Sequence, residues 1–426
     1  MKNKIRVVVT GIGIVAPNAV GLDDFREAIR QGRSGIRFIP RLAELNFGCQ
    51  IGGIPQDFTE VRTRYFDHEK LMSINDNIGY CSVAAVDAWR DAGFDLPGDN
   101  GNVDWDTGAV LGCGIGGMDT IAEQVVPMIS DGKVRRMGSR IVEQVMNSGT
   151  SARVGGLLGL GNQVTSNSSA CSTSTEAIVD SFDRIRMGAA KRMLAGGSEG
   201  ASPYIWGGFD AMRVIARKFN EQPEAGSRPM SASAAGFVPG SGAAVLVLED
   251  LETALSRGAR IYCEILGGTV NCGGQRNGGS MTAPNPEGVR RCIRQSIADA
   301  GITARDIDAI NGHLTATFAD PHEIRNWSEA LERGPEDFPF VNSTKSLVGH
   351  CLGAAGAIES AAVSLQLSEG FLHPSINCED VHPEIEAYGK KIVRELKEFP
   401  DLKIVAKSSF GFGDVNSCII FKAWEG

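Results

Sequence analysis

The chain has 426 residues, of which 42% are hydrophobic and 22% charged, enough to bury a core in one large or two medium domains. Its formal charge of −9 argues against nucleic acid as the main partner, because a phosphate backbone needs a basic face. No apolar run approaches the roughly 18 residues that a membrane span requires.

The opening "MKNKIRVVVTGIGIVAPNAVG" mimics a signal peptide, but its apolar run is β-branched and broken by glycines, which reads as a buried first strand. Further apolar runs follow with the look of buried parallel strands: "GAVLGCG" from Gly108, "MLAGGSEG" from Met193 and "AAVLVLED" from Ala243. Helical stretches such as "IGYCSVAAVDAWRDAGF" lie between them. A second series comprises "IYCEILGGTVN" from Ile261, "IDAINGHLTA" from Ile307, "FPFVNSTK" from Phe338, and "IVAKSSFGFG" followed by "SCIIFKAW". Alternation of this kind predicts an α/β protein with covered sheets.

Each series also contains one helix that starts with tiny residues: "STSTEAIVDSFDRIRMGAA" after Cys171 and "LGAAGAIESAAVSLQLSEG" after His350. The chain therefore reads as two versions of one design, residues 1–255 and 256–426, tightly joined.

Ten cysteines lie scattered without a CxxC or a Cys/His cluster at metal spacing, so free thiols, no metal site and a cytoplasmic location are expected. One cysteine stands apart. Cys171 sits in "SNSSACSTSTEA", among small polar residues at a helix entry, where the dipole and open N–H groups favour a thiolate and can receive an oxyanion. Taken alone, the segment also fits an inert, partly buried cysteine. The histidines change the balance. Four of the six, His68, His322, His373 and His382, sit in turn-like or polar surroundings and read as structural or solvated. The other two, His313 in "INGHLTAT" and His350 in "NSTKSLVGHCLGAAGAIE", lie at strand ends or helix entries, where functional groups of α/β proteins converge. One thiol with two such imidazoles suits acyl chemistry on sulfur.

With these motifs the chain resembles the β-ketoacyl-acyl-carrier-protein synthases of type II fatty-acid and polyketide systems. The resemblance runs over nearly the whole length, through "GCGIGG", "SSACSTSTEAI", "SRPMSASAAGFVPGSGAAVLVLED", "MTAPNPEG", "NGHLTAT", "NSTKSLVGHCLGAAGAIE" and "SSFGFG". It implies a thiolase fold, two like halves in five αβαβα layers, usually as a homodimer. It implies that Cys171 carries the acyl chain, while His313 and His350 assist decarboxylation of malonyl-carrier protein. Lys345 would set the electrostatics, with Glu359 and Asp320 in support. Thr315, Thr317 and Thr282 would hold substrate, and Ile115 would line the acyl pocket. Phe410 is the expected gate, its N–H joining that of Cys171 in the oxyanion hole. No cofactor is implied, since substrates arrive on the phosphopantetheine of an acyl carrier protein. That acidic partner needs a local basic patch, for which Arg62, Arg64, Lys70, Lys133, Arg135 and Arg136 are candidates.

Departures from the family pattern point to a specialised branch. Leu314 stands where the family has glycine, the "TFAD" stretch ending at Asp320 is one residue short, and "GFGDVN" puts Asp414 and Val415 in a glycine–threonine turn. Two rival readings remain. "GCGIGG" formally matches the dinucleotide fingerprint but lacks the following acidic strand end. A non-catalytic chain-length subunit would lack the cysteine, although a synthase active only as a heterodimer with such a subunit fits the sequence.

Overall fold

The computed structural model describes residues 5–98 and 101–426, so the two lysines of the opening lie outside the described residues. The first apolar run forms β1 (Val7–Ala16), buried at every position. Helix α1 (Asp76–Asp91) starts at Asn75, whose side chain accepts the Ile78 N–H, and packs on β1. The packing is close because Gly11 and Gly13 face it: a Cβ at either would meet the carbonyl oxygens of Ala88 or Ala84 within 2.3 Å.

The first half continues with β2 (Thr107–Cys113), α2 (Gly149–Leu158), β3 (Val164–Thr165), α3 (Thr173–Arg186), β4 (Arg192–Glu199) and β5 (Gly242–Asp250). The second comprises β6 (Cys263–Cys272), α4 (Pro286–Ala300), β7 (Ala309–Asn311), α5 (Asp320–Leu331), β8 (Phe340–Asn342), α6 (Ala355–Glu369), β9 (Ile404–Gly411) and β10 (Val415–Ala423). The strand order is β3-β2-β4-β5-β1-β6-β10-β9-β7-β8, so each half repeats the order third, second, fourth, fifth, first. The directions repeat as well. The third, second and fourth strands of each half run parallel, and the remaining neighbours are antiparallel.

The sheets are therefore mixed, where the apolar runs alone suggested parallel ones. A continuous apolar run reports that both faces are covered and carries no information about direction. The two halves join into one continuous sheet where Val7–Val9 of β1 pair with Cys263–Ile265 of β6. Helices α3 and α6 lie between them and touch strands of both halves, while α1 and α2 cover one outside and α4 and α5 the other. This is the thiolase-like fold.

Helices α3 and α6 approach closely, as their tiny residues predict. A Cβ on Gly356 would fall 2.1 Å from the Thr175 hydroxyl, and the Ala357 N–H donates to Ser174 Oγ at 2.9 Å. No helix among the described residues is long and apolar enough to cross a membrane.

Candidate active site

The segment between β3 and α3 is braced by its own serines and threonines. Thr173 Oγ1 accepts the Ser169 N–H and donates to the Ala170 carbonyl, at 2.8 and 2.7 Å. Ser172 Oγ, fully buried, reaches the Ser409 and Val415 carbonyls of the other half at 3.2 and 3.0 Å. Cys171 is thus the middle residue of a 3-10 turn, Ala170–Ser172, that precedes α3 and abuts the end of β9. The small polar residues hold the thiol between the halves.

His350 Nε2 lies 3.0 Å from Cys171 Sγ. The Leu352 N–H points at His350 Nδ1 at 3.3 Å, so Nδ1 accepts and Nε2 carries the hydrogen that faces sulfur. The His313 ring stands nearly perpendicular to that of His350, 5.4 Å away, and its buried Nδ1 has no hydrogen-bond partner among the described residues. Donor atoms of Cys171, His313 and His350 all fall within 4.8 Å of one another.

Burial pushes the Cys171 thiol up to about 11, against the opposing pull of Lys345 and of the Phe412 N–H that donates to its sulfur. The helix-entry argument favours a thiolate, and here desolvation of the charge outweighs it. Both imidazoles are driven well below 6.5, first by burial and then by Lys345 and Lys407, with His350 adding to the effect on His313. The site is a thiol flanked by two neutral N–H-bearing rings.

Behind the rings lies a buried web of charge. Glu359, at the start of α6, binds Lys345 through one oxygen and Lys407 of β9 through the other, the latter at 3.0 Å. Lys407 also donates to Thr175 Oγ1 at 2.7 Å and to Ser409. Sequence reasoning missed Lys407, although a lysine in mid-strand inside "IVAKSSF" is itself a signal of a buried, paired charge.

His313 lies two residues beyond β7, in a loop where Leu314 and Ala316 hold positive φ of 24° and 64°. Carboxylates hold that loop from below. Asp320 accepts the Thr315 and Ala316 N–H groups at 2.9 and 3.0 Å, and the Met230 N–H at 2.8 Å. Glu323, one turn along α5, accepts those of His313 and Leu314 at 2.7 and 2.8 Å. Burial raises both acids, Glu323 to about 7. Glu323 was also missed; its spacing of three from Asp320 on one helix was the available signal. The hydroxyls of Thr315 and Thr317 sit 3.0 Å apart, in the same loop as His313.

Glu199, at the end of β4, is the second missed acid. It is fully buried and accepts the N–H groups of Ile115, Gly353 and Gly114 at 2.9, 2.9 and 3.1 Å. The amides of the "GCGIGG" loop therefore cradle a protein carboxylate, where a dinucleotide site would present them to phosphate.

Phe410 is not the residue whose N–H meets the thiol. It lies inside β9 opposite Asn416, buried, with its ring 6.3 Å from His313. The N–H at Cys171 belongs to Phe412, in the turn beyond the strand. A residue within the ladder stays beside its cross-strand partner, whereas the first residue past it turns toward the other half. Ile115 is partly exposed beside the Glu199 cradle, and Thr282 is exposed on the loop that precedes α4. Among the basic candidates, Arg62, Arg64, Lys70 and Lys133 each pair with a neighbouring carboxylate. Arg135 and Arg136 are exposed, with no ion pair among the described residues.

The same architecture recurs in known proteins. The family descriptions "Beta-ketoacyl synthase, N-terminal domain" and "Beta-ketoacyl synthase, C-terminal domain" match residues 4–254 and 262–379. The chloroplastic 3-oxoacyl-[acyl-carrier-protein] synthase I of Arabidopsis thaliana is 36% identical over 427 aligned positions, covering 99% of this chain and 87% of that protein. The solved ishigamide ketosynthase/chain length factor superposes with a TM-score of 0.88 at 28% identity, covering 99% of this chain and 100% of that one. A type II polyketide acyl-carrier protein complexed with its hexaketide-bound ketosynthase gives a TM-score of 0.87 at 27% identity, with the same coverage. The chain belongs to the β-ketoacyl synthase family, the condensing acyltransferases of fatty-acid and polyketide synthesis.

Proposed function

We propose that Cys171 accepts an acyl chain from an acyl carrier protein and condenses it with malonyl-carrier protein. The observation that carries this reading is the convergence of one thiol and two neutral imidazoles within 4.8 Å at the junction of the halves. In acyl transfer, the sulfur attacks the thioester carbonyl and the N–H groups of Cys171 and Phe412 receive the oxyanion. The C–S bond to pantetheine breaks, and the departing sulfur takes the proton that the Cys171 thiol gives up, leaving as the free thiol. Malonyl thioester then enters beside Thr315 and Thr317. The Nε2–H groups of His313 and His350 bond its thioester oxygen, carbon dioxide departs, and the carbanion attacks the acyl-cysteine carbonyl. Its C–S bond breaks, the 3-oxoacyl thioester leaves on the carrier, and the released Cys171 sulfur takes up a proton from solvent to restore the thiol. Neutral rings suit this work because they donate without adding a buried charge. Burial first, and then Lys345 and Lys407, which are paired through Glu359, keep them neutral.

Arg135 and Arg136 are the docking residues best suited to an acidic carrier, since neither is engaged by a local acid. Val126, Ile129, Val134 and Val142 are each more than half exposed, an apolar patch that supports a second subunit packing beside the docking residues and leaving Arg135 and Arg136 open. A homodimer is the first reading. The likeness to a ketosynthase/chain length factor supports a heterodimer as the second, and mass measurement of the purified protein distinguishes them. Leu314, Asp414 and the shortened loop favour a specialised polyketide or polyene substrate.

The test separates the half-reactions. Cys171→Ala loses condensation and keeps carbon dioxide release from malonyl-carrier protein, whereas His350→Ala loses release by about 10²-fold or more. Wild-type release in His350→Ala, together with none in Cys171→Ala, would falsify the scheme. Mass spectrometry of products from primers of graded length and unsaturation then defines the acyl substrate.

A further inference from the structure

Asp414 is a departure from the family pattern, and its surroundings are built for it. The residue is fully buried, at φ 62°, in the turn after β9. Its carboxylate accepts the Asn285 N–H through one oxygen and the Gln275 N–H through the other, both at 2.8 Å. Two glycines leave room for it: a Cβ on Gly273 would lie 2.3 Å from both oxygens, and one on Gly279 would lie 2.5 Å from Oδ2. The Asp414 carbonyl accepts the Gly273 N–H at 2.9 Å, and the neighbouring Gly413 N–H donates to the Met281 carbonyl at 2.8 Å.

Loop 273–285 is otherwise largely exposed, with Gly274, Gln275, Asn277 and Gly278 all at positive φ. Nothing regular holds it. Its buried anchor is the carboxylate of Asp414, and the other end of that connection is the turn carrying Phe412. To shift Phe412, the chain must drag the loop along or leave a buried carboxylate without its amides, which is unfavourable.

We propose that Asp414 is a positioning residue for acyl transfer: by clamping loop 273–285 to the turn after β9, it holds the Phe412 N–H against the Cys171 sulfur. This rests on the reading of Cys171 as acyl acceptor and Phe412 as oxyanion donor. The His313 and His350 donors lie in other loops, so the clamp acts on one half-reaction only.

The experiment uses the full-length protein with acyl- and malonyl-carrier proteins. Asp414→Gly removes the carboxylate while keeping a residue that adopts this φ freely. Acyl-enzyme formation should slow about tenfold, less than the loss of a whole oxyanion donor, with KM for acyl-carrier protein within about twofold. Carbon dioxide release should stay within about twofold of wild type, and amide exchange in loop 273–285 should accelerate. Gly279→Ala, whose Cβ intrudes on the carboxylate, should give the same split without touching Asp414. Equal losses of acylation and carbon dioxide release in both variants would make Asp414 a scaffold residue and overturn the proposal. So would faster loop exchange with acylation unchanged. Peptide mapping of wild-type acyl-enzyme is the control. Label on Cys171 with an unaffected Asp414→Gly rate sinks the clamp alone, whereas label elsewhere sinks the acyl-acceptor reading with it.

Discussion

The two halves present the same junction twice and use it differently. In each, an eight-residue strand ends against a 3-10 turn whose first residue has positive φ and which opens a buried helix. In one junction β9 ends on the turn Ala170–Ser172, with Ala170 at φ 49°. In the other β4 ends on the turn Leu352–Ala354, with Leu352 at φ 46°. The middle residue is Cys171 in the first and Gly353 in the second. The facing strand ends in Gly411 and Glu199 respectively. At the first, a side chain that can take negative charge faces N–H donors, and it is a nucleophile. At the second, the negative group comes from the strand and the turn supplies only a backbone N–H, so the same geometry is closed by a glutamate. Chemistry here depends on which of two equivalent positions carries the side chain.

Removing the charge that serves the reactive junction should have the largest effect. Glu359→Gln leaves Lys345 and Lys407 facing each other, buried, without their shared acid. Loss of a buried partner costs about 3–5 kcal/mol, to be read as a lowered denaturation midpoint.

Opening the closed junction comes next. Glu199→Ala leaves three amides without an acceptor and should cost about 1–3 kcal/mol. Its proton gives a second handle. Burial raises Glu199 to about 7, so the folded state keeps a proton that the unfolded chain releases near the ordinary glutamate value of about 4.3. Its contribution to stability is therefore complete at low pH and is lost as pH rises toward 7. Urea midpoints of wild type should fall across that window, and those of Glu199→Gln should fall less.

The reactive junction has its own pH signature. Because both histidines are depressed well below 6.5, carbon dioxide release should stay level as pH falls through 6.5 and decline only at lower pH. Lys407→Met removes one depressing charge and should move that acid limb upward. A limb centred at 6.5 in wild type would mean that the rings are not held neutral.

The smallest expected effect is at Leu314. Its φ of 24° is strained for leucine by about 1–2 kcal/mol, while its buried side chain returns a comparable amount by packing. Leu314→Gly should therefore change stability by no more than about 1–2 kcal/mol. A larger loss would show that packing dominates this loop.

Much of this molecule is written in local sequence. Apolar runs bounded by glycines mark the strands because burial on both faces demands continuous hydrophobicity. The tiny residues after Cys171 and His350 announce two helices in close contact, since only small side chains permit that approach. Cys171, His313 and His350 are legible because reactive groups stand out among small or apolar neighbours, whereas Lys345 and Glu359 enter only through the resemblance to the family. What tertiary structure alone decides is direction, pairing and protonation. Strand direction depends on how the second half folds back on the first, which no run of residues encodes by itself. Phe412, two residues past Phe410, meets the thiol because β9 ends at Gly411, a boundary set by its ladder with β10. The thiol is held protonated by desolvation that both halves impose together, whereas the helix entry alone argues for a thiolate. Glu199, Glu323 and Lys407 look like ordinary charges in a list. They become structural only when folding removes water from around them and leaves backbone amides or other charges as their sole partners.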